Sequence, residues 1–180
     1  MSPDELAALI AKRLRDVPDF PEPGIAFKDI SPLLADPDAF GAAIGALADD
    51  ARRLGSIDLV AGIEARGFLF AAALACDLGC GIVPVRKAGK LPPPTIRRAY
   101  DLEYGQAEIE VPVDVLDGRR VYLVDDVLAT GGTVRAAAEL VVQAGGEVAG
   151  IGVLLELGFL GGRARLEGVA HGSITALLRS

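Results

Sequence analysis

Short apolar runs that alternate with helical segments constrain the fold of this chain more than any other feature. The apolar runs cover residues 57–63, 82–85, 121–124 and 148–155, and helical patterns cover 68–78 and 133–144 between two pairs of them. Buried strands that are joined by crossover helices are typical of parallel sheets. The pattern therefore predicts an α/β fold, a twisted parallel sheet flanked by helices.

The flanking segments predict two more helices and a hairpin. A capping box at Ser2 begins a helix that continues to about Asp16, and Asp36 begins another that ends before Gly55. Residues 99–113 alternate apolar with polar side chains, which is typical of an antiparallel hairpin, here near the edge of the sheet. No linker divides the chain, so we expect a single domain.

The composition and the N-terminal sequence limit the cellular compartments and the binding partners that we expect for this protein. The net charge is −7, and the longest apolar run, residues 68–76, is much shorter than the roughly 18 residues that span a bilayer. The N-terminal segment lacks the pattern of a secretory signal. Cys76 and Cys80 are too few for a metal site and are interpreted as reduced core thiols. We expect a cytoplasmic protein with no membrane partner.

The most informative segment is VYLVDDVLATGGT at 121–133. A buried strand leads into two acids, Asp125 and Asp126, which can accept hydrogen bonds from ribose hydroxyls at the carboxyl edge of the sheet. The loop that follows begins a helix whose free amides can bind a phosphate. Its predicted phosphate-binding residues are Ala129, Thr130, Gly131, Gly132 and Thr133. An ordinary strand–turn–helix is the alternative, but the combined pattern favours a ribose-5-phosphate site.

A basic segment stands out in this acidic chain. This basic segment covers residues 86–98 and contains no acidic residue. Its cations are Arg86, Lys87, Lys90, Arg97 and Arg98. A solvated loop and a nucleic-acid patch are the alternatives, but a single cluster without interleaved aromatic residues argues against nucleic acid. A small polyanion such as pyrophosphate fits better, because cations neutralise it as it leaves.

Arg66 is a second candidate for contact with pyrophosphate. It follows the strand predicted at 57–63 and precedes a helix, so it lies at the carboxyl edge of the sheet. A cation at a helix N-terminus is unfavourable next to the helix dipole. A guanidinium that grips pyrophosphate in a bidentate manner would explain it.

Four segments together resemble a known family. VYLVDDVLATGGT looks like the phosphoribosyl-pyrophosphate (PRPP) motif of the type I phosphoribosyltransferases. The other three segments are FPEPGIAFKDISPLL at 20–34, GIEARGFLFAAALA at 62–75 and RKAGKLPPPTIRRAYDLEYGQAEIE at 86–110. They are similar to adenine phosphoribosyltransferases, and the resemblance extends over about residues 19–156.

The resemblance implies a role for each segment. By this resemblance, the purine base that is the substrate would stack on Phe27, and main-chain groups near Ala26 and Lys28 would recognise the edge of the base. Glu103 handles a proton at N7 of the purine. In this family the peptide bond before the arginine is cis, here expected at Ala65–Arg66.

The basic segment, with Tyr104, resembles the mobile loop that closes over the site. Its sequence KLPPPT has Pro93 where the family usually has glycine, and three prolines favour an extended chain.

The implied activity is phosphoribosyl transfer from PRPP to adenine by a homodimer with a small hood at about residues 1–35. Mg²⁺ would be held mainly by the substrate rather than by protein ligands. Two alternatives stay open at this point: a phosphoribosyltransferase for another base, such as xanthine, guanine or orotate, and a non-catalytic regulator that senses PRPP or nucleotides.

Overall fold

A computed structural model describes residues 1–101 and 106–180. The helices are α1 (Pro3–Lys12), α2 (Ser31–Leu34), α3 (Pro37–Arg53), α4 (Gly67–Leu78) and α5 (Gly132–Gln143). The strands are β1 (Arg15–Val17), β2 (Phe27–Asp29), β3 (Leu59–Ile63), β4 (Gly81–Lys87), β5 (Thr95–Asp101), β6 (Gln106–Pro112), β7 (Arg120–Leu128), β8 (Glu147–Glu156) and β9 (Ile174–Arg179). Two 3-10 helical turns, Gly158–Leu160 and Gly162–Leu166, follow β8.

The main sheet confirms the predicted α/β class. Within the described residues it has seven strands in the order β5-β6-β4-β3-β7-β8-β9. Neighbours from β4 through β9 pair in parallel, with β3 at the centre between β4 and β7. The hairpin β5–β6 is antiparallel and continues the sheet beyond β4. It begins at Thr95 rather than at residue 99, so Arg97 and Arg98 lie on a strand.

Alternating side chains of the central strands form two cores, one on each face of the sheet. Ala61 of β3 and Leu123 of β7 pack in the cluster that includes α5. Val60 and Tyr122, their neighbours along the same strands, pack in the cluster that includes α3 and α4. Because successive strand residues point to opposite faces, strands covered on both sides are apolar throughout.

The N-terminal segment differs from the sequence expectation. Helix α1 ends at Lys12 instead of continuing to about residue 16, because Arg15–Val17 pairs with Phe27–Asp29 as a separate two-stranded sheet. Arg15 binds the carboxylate of Asp29 at 2.5 Å and reinforces this pairing. The second helix agrees with the prediction, since Asp36 caps it through the amides of its first turn.

None of the helices in the described ranges is long and apolar enough to cross a membrane.

The prediction that Cys76 and Cys80 are core thiols is wrong for Cys76. Both thiols are free, but Cys76 is exposed on α4, so it is not a core residue.

Candidate functional site

Two neighbouring parallel strands bring the predicted site residues to one edge of the sheet. Strand β3 leads into α4, and β7, which pairs directly with β3, leads into α5. Their carboxyl ends therefore lie side by side, where open α/β sheets bind ligands. The acids Asp125 and Asp126 do not end the strand as expected, because the ladder to β8 continues as far as Leu128.

The loop after β7 has the geometry of a phosphate cradle. Gly131 has φ +84° and precedes α5 without any side-chain cap, so the first amides of the helix are free of a capping oxygen. A cavity of about 70 Å³ lies against this loop. Its lining comprises Asp125, Val127, Ala129, Thr130, Gly131, Gly132, Thr133 and Val134.

The segment that contains Gly162 packs against this loop, and the sequence analysis does not predict this contact. A Cβ at Gly162 would lie 2.1 Å from the Ala129 carbonyl oxygen, and one at Gly131 would lie 2.5 Å from the Gly162 carbonyl oxygen. Two glycines thus allow two backbones to touch. The next residue, Arg163, grips the buried Glu156 through both carboxylate oxygens and so fixes the segment. The consecutive glycines 161–162 are the one sequence signal that could have indicated this contact.

The paired acids share a crowded, polar position. Oδ1 of Asp125 accepts the backbone N–H of Asp126 at 2.9 Å, and Gly67 leaves room for this carboxylate at the start of α4. Burial raises the pKa of Asp125 well above its ordinary value, and the charge of Asp126 raises it further. Burial also raises the pKa of Asp126, although the Arg66 charge opposes the shift.

Arg66 joins the acids to the predicted base site. Its Nε lies 2.8 Å from Oδ2 of Asp126 and forms an ion pair with it, but the geometry is not that of a hydrogen bond. Within the described residues, Oδ2 of Asp126 accepts no hydrogen bond. Its guanidinium carbon lies 5.0 Å from the centroid of the Phe27 ring, the distance of a cation–π contact. The cis non-proline bond is Glu64–Ala65, so the expectation of a cis bond at Ala65–Arg66 is wrong by one residue.

The predicted adenine-binding residues lie on and beside β2. Phe27 is partly buried, and the centroids of the Phe27 and Phe20 rings lie 5.1 Å apart in a T-shaped arrangement. Lys28 turns its ammonium group to Asp16 at 2.5 Å across the β1–β2 pair, while Ala26 is exposed just before the strand. The side chain of Lys28 is therefore occupied within the fold, and its backbone groups are what it can offer a base.

The basic segment separates into paired arginines and free lysines. Arg86, Arg97 and Arg98 form ion pairs with Glu64, Glu110 and Glu139, respectively. Across the part of the chain that the structure describes, Lys87 and Lys90 form no ion pair, and both are exposed. These two ammonium groups are thus the cations of the segment that a polyanion could bind without breaking a salt bridge.

Two predicted site residues, Glu103 and Tyr104, lie outside the described residues.

Residues 1–101 and 106–180 contain no group of three or more His, Cys, Asp or Glu side chains that could hold a metal ion.

Comparison with known proteins decides the family. A family model for the phosphoribosyl transferase domain matches residues 34–166. An adenine phosphoribosyltransferase from Streptomyces coelicolor is 58% identical over 178 residues, 98% of this chain and 97% of that protein. The chain belongs to the adenine phosphoribosyltransferase family. It is an enzyme that transfers a phosphoribosyl group to adenine, as the sequence predicts.

Solved structures of adenine phosphoribosyltransferases share the whole fold. One from Rhodothermus marinus superposes with a TM-score of 0.91 at 46% identity and covers 98% of this chain and 99% of its own. One from Saccharomyces cerevisiae, complexed with an imino-altritol bisphosphate and adenine, has a TM-score of 0.88 at 37% identity, with 97% and 99% covered. The type I phosphoribosyltransferase fold is therefore confirmed.

Proposed function

We propose that the chain transfers the 5-phosphoribosyl group of PRPP to N9 of adenine along one continuous line of residues at the carboxyl edge of the sheet. The observation that carries this proposal is the chain of contacts from Phe27 through Arg66 to Asp126, whose neighbour Asp125 lines the phosphate cavity. Base, ribose and 5-phosphate follow the same order in the product AMP. The order of these contacts is therefore the one expected for a bound nucleoside monophosphate.

The chain's own residues supply binding and charge. The free amides of the first turn of α5 bind the 5-phosphate, and Asp125 and Asp126 accept hydrogen bonds from the ribose hydroxyls. Positive charge develops at C1′ as the bond to pyrophosphate breaks and N9 attacks. Arg66, Lys87 and Lys90 take up the negative charge of the departing pyrophosphate. Catalysis is therefore largely positioning and charge stabilisation.

Glu103, which lies outside the described residues, is proposed on its sequence match to handle the N7 proton. General acid–base help of this kind contributes about 10²- to 10⁴-fold in rate.

Mg²⁺ fits this site as a companion of the substrate. Carboxylate oxygens are ligands that the ion prefers, and the buried Oδ2 of Asp126 accepts no hydrogen bond from the described residues. Arg66 already lies 2.8 Å from that oxygen, so Asp126 would face the ion through its waters, and phosphate oxygens and ribose hydroxyls would hold it. When bound, the ion neutralises part of the pyrophosphate charge.

The experiment measures AMP formation from adenine and PRPP in the wild type and in Asp125→Asn/Asp126→Asn. We expect the double variant to raise the KM for PRPP and to lower kcat, since amides are weaker acceptors for ribose hydroxyls. Asp114→Asn, a change of the same kind at an exposed residue, is the control. An unchanged KM for PRPP in the double variant would remove the ribose assignment but not the family.

The predicted homodimer has a candidate surface on α4. Leu69, Ala72 and Cys76 share one face of this helix and are exposed, Leu69 to 49%. A helix that is apolar on its outer face as well as on its inner face is typical of a covered position. Light scattering should show a dimer that Leu69→Glu dissociates and that Val142→Glu, at the exposed Val142 on α5, leaves intact. A monomeric wild type would contradict the proposal.

We also propose that the protein is located in the cytoplasm, because Cys76 and Cys80 are free thiols and cysteines in that compartment are usually reduced.

A further inference from the structure

Glu110 on β6 is a fully buried carboxylate outside the proposed substrate-binding line. Its side chain is 0% exposed. One oxygen, Oε1, accepts the backbone N–H groups of Lys90 at 2.7 Å and Leu91 at 2.8 Å. The other, Oε2, accepts Nε of Arg97 at 2.9 Å and the hydroxyl of Thr95 at 3.3 Å. Both oxygens are therefore satisfied by the segment that connects β4 to β5 and by the start of β5.

The donors keep Glu110 ionised. Burial alone raises the pKa of a carboxyl group, but here the amides of Leu91 and Lys90 and the charge of Arg97 outweigh burial and lower the pKa of Glu110. Hydrogen bonds to a charged group contribute more than neutral ones, about 1.5–3 kcal/mol. A buried carboxylate with these partners is a strong anchor for the backbone that it binds.

The anchored backbone carries Lys90, one of the two lysines of the segment that form no ion pair with the described residues. The amide of Lys90 is bound by Glu110, and its carbonyl oxygen accepts Nη1 of Arg86 at 3.1 Å. Arg86 in turn donates to Glu64. Lys90 is thus held on both sides of its peptide backbone while its side chain extends into solvent.

We propose that Glu110 is a positioning residue for phosphoribosyl transfer, holding the Lys90–Leu91 backbone so that the Lys90 ammonium group meets the pyrophosphate of PRPP. The inference rests on the proposed role of Lys90 at pyrophosphate. Glu110→Gln keeps the size of the side chain but replaces one acceptor with an NH₂ group and removes the charge that pairs with Arg97. The one remaining carbonyl oxygen can accept either the two backbone N–H groups or the donors Arg97 and Thr95, but not both sets, so the hold on the Lys90–Leu91 backbone should weaken.

A double-mutant cycle tests whether Glu110 acts through Lys90. We expect Glu110→Gln to lower kcat/KM for PRPP roughly tenfold, with a smaller change in KM for adenine, in the otherwise wild-type chain. In the Lys90→Ala background the same substitution should have little further effect. Glu108→Gln, the same change at an exposed position of β6, should leave the kinetics unchanged in both backgrounds.

Each outcome decides a different claim. An equal loss from Glu110→Gln in both backgrounds would show a general structural role and overturn the inference. A Lys90→Ala enzyme with wild-type kinetics would instead contradict the proposed role of Lys90. If Glu110→Gln fails to fold, Thr95→Val, which removes one donor from the same carboxylate, takes its place in the cycle.

Amide hydrogen exchange on the wild type provides an independent measurement. The amides of Lys90 and Leu91 should exchange slowly in the ligand-free protein because Glu110 holds them. Exchange as fast as that of unprotected surface amides would overturn the inference.

Discussion

Arg66 contacts both ends of the proposed reaction centre, its guanidinium lying over the ring of Phe27 and its Nε beside the carboxylate of Asp126. Asp126 is buried, and its Oδ2 has no hydrogen bond among the described residues, so this cation is what balances its charge. The same side chain therefore pairs with one of the two acids proposed to bind ribose and borders the proposed base site. Substitution of Arg66 should affect both substrates.

The first prediction concerns this double contact. Arg66→Lys keeps the charge but loses the planar fork that can stack and bind in a bidentate manner. We expect kcat/KM to fall about tenfold or more for both PRPP and adenine. Steady-state kinetics with each substrate varied in turn would check it, with Arg52→Lys at an exposed ion pair on α3 as the control. A loss confined to PRPP would separate Arg66 from the base site.

The second prediction concerns the contact behind the phosphate loop. Gly162→Ala places a methyl group against the Ala129 carbonyl oxygen, so the loop or the segment must shift. A misplacement of this kind should raise the KM for PRPP or lower kcat by roughly 10- to 100-fold. Gly158→Ala in the same segment meets only an ordinary contact of 3.5 Å with Ser180 and should behave as wild type. Equal kinetics for the two variants would show that Gly162 does not support the loop.

Local sequence signals are sufficient to predict the central strands and the strand–loop–helix unit that contains TGGT. Strands β3, β7 and β8 are buried on both faces, which makes them continuous apolar runs, and TGGT with its preceding acids lies within one strand–loop–helix unit. Strand β9 escaped prediction because it lies at an edge and is only half buried, so its apolar pattern is weak. A continuous apolar run marks a strand most clearly where the strand is buried on both faces of the sheet.

Long-range contacts could not be predicted from the sequence. Gly162 touches a loop some thirty residues before it, and Arg98 pairs with Glu139 on α5. The five cations of residues 86–98 are therefore indistinguishable in the sequence, although among the described residues the three arginines form ion pairs and the two lysines form none. Only the folded arrangement of the acids distinguishes them.

The third prediction concerns contact between the basic segment and PRPP. If Lys87 and Lys90 bind pyrophosphate, PRPP with Mg²⁺ should slow tryptic cleavage after these two exposed residues. Adenine alone should give no such protection, because it carries no phosphate. Digestion followed by mass spectrometry would locate the cuts. Identical rates with and without PRPP would contradict contact between the segment and the ligand.

The fourth prediction concerns acid stability of the β1–β2 pair. Hydrogen bonds from Ser31, and then Arg15, lower the pKa of Asp29 from 3.8 to about 2. A carboxyl group whose pKa is lower in the folded state contributes stability above its unfolded pKa and loses that contribution as the pH falls through its folded pKa. Asp29→Asn should therefore lower Tm at about pH 5, and the difference from wild type should shrink at about pH 3. A Tm difference that is independent of pH would rule out this linkage.

The last prediction concerns the choice of base. Lys28 directs its ammonium group to Asp16, so a purine stacked on Phe27 would be read by main-chain groups near Ala26 and Lys28. Adenine presents a donor at N6 and an acceptor at N1, whereas hypoxanthine presents the reverse, and each unpaired buried group costs about 1–3 kcal/mol. Two mismatches give a preference for adenine on the order of 10²- to 10⁴-fold in kcat/KM.

Because the backbone would do this reading, Lys28→Ala should keep the preference even if it slows the reaction. Parallel assays with adenine, hypoxanthine and guanine on both proteins would measure it. Loss of the preference in Lys28→Ala alone would assign the reading to the side chain and not to the main chain.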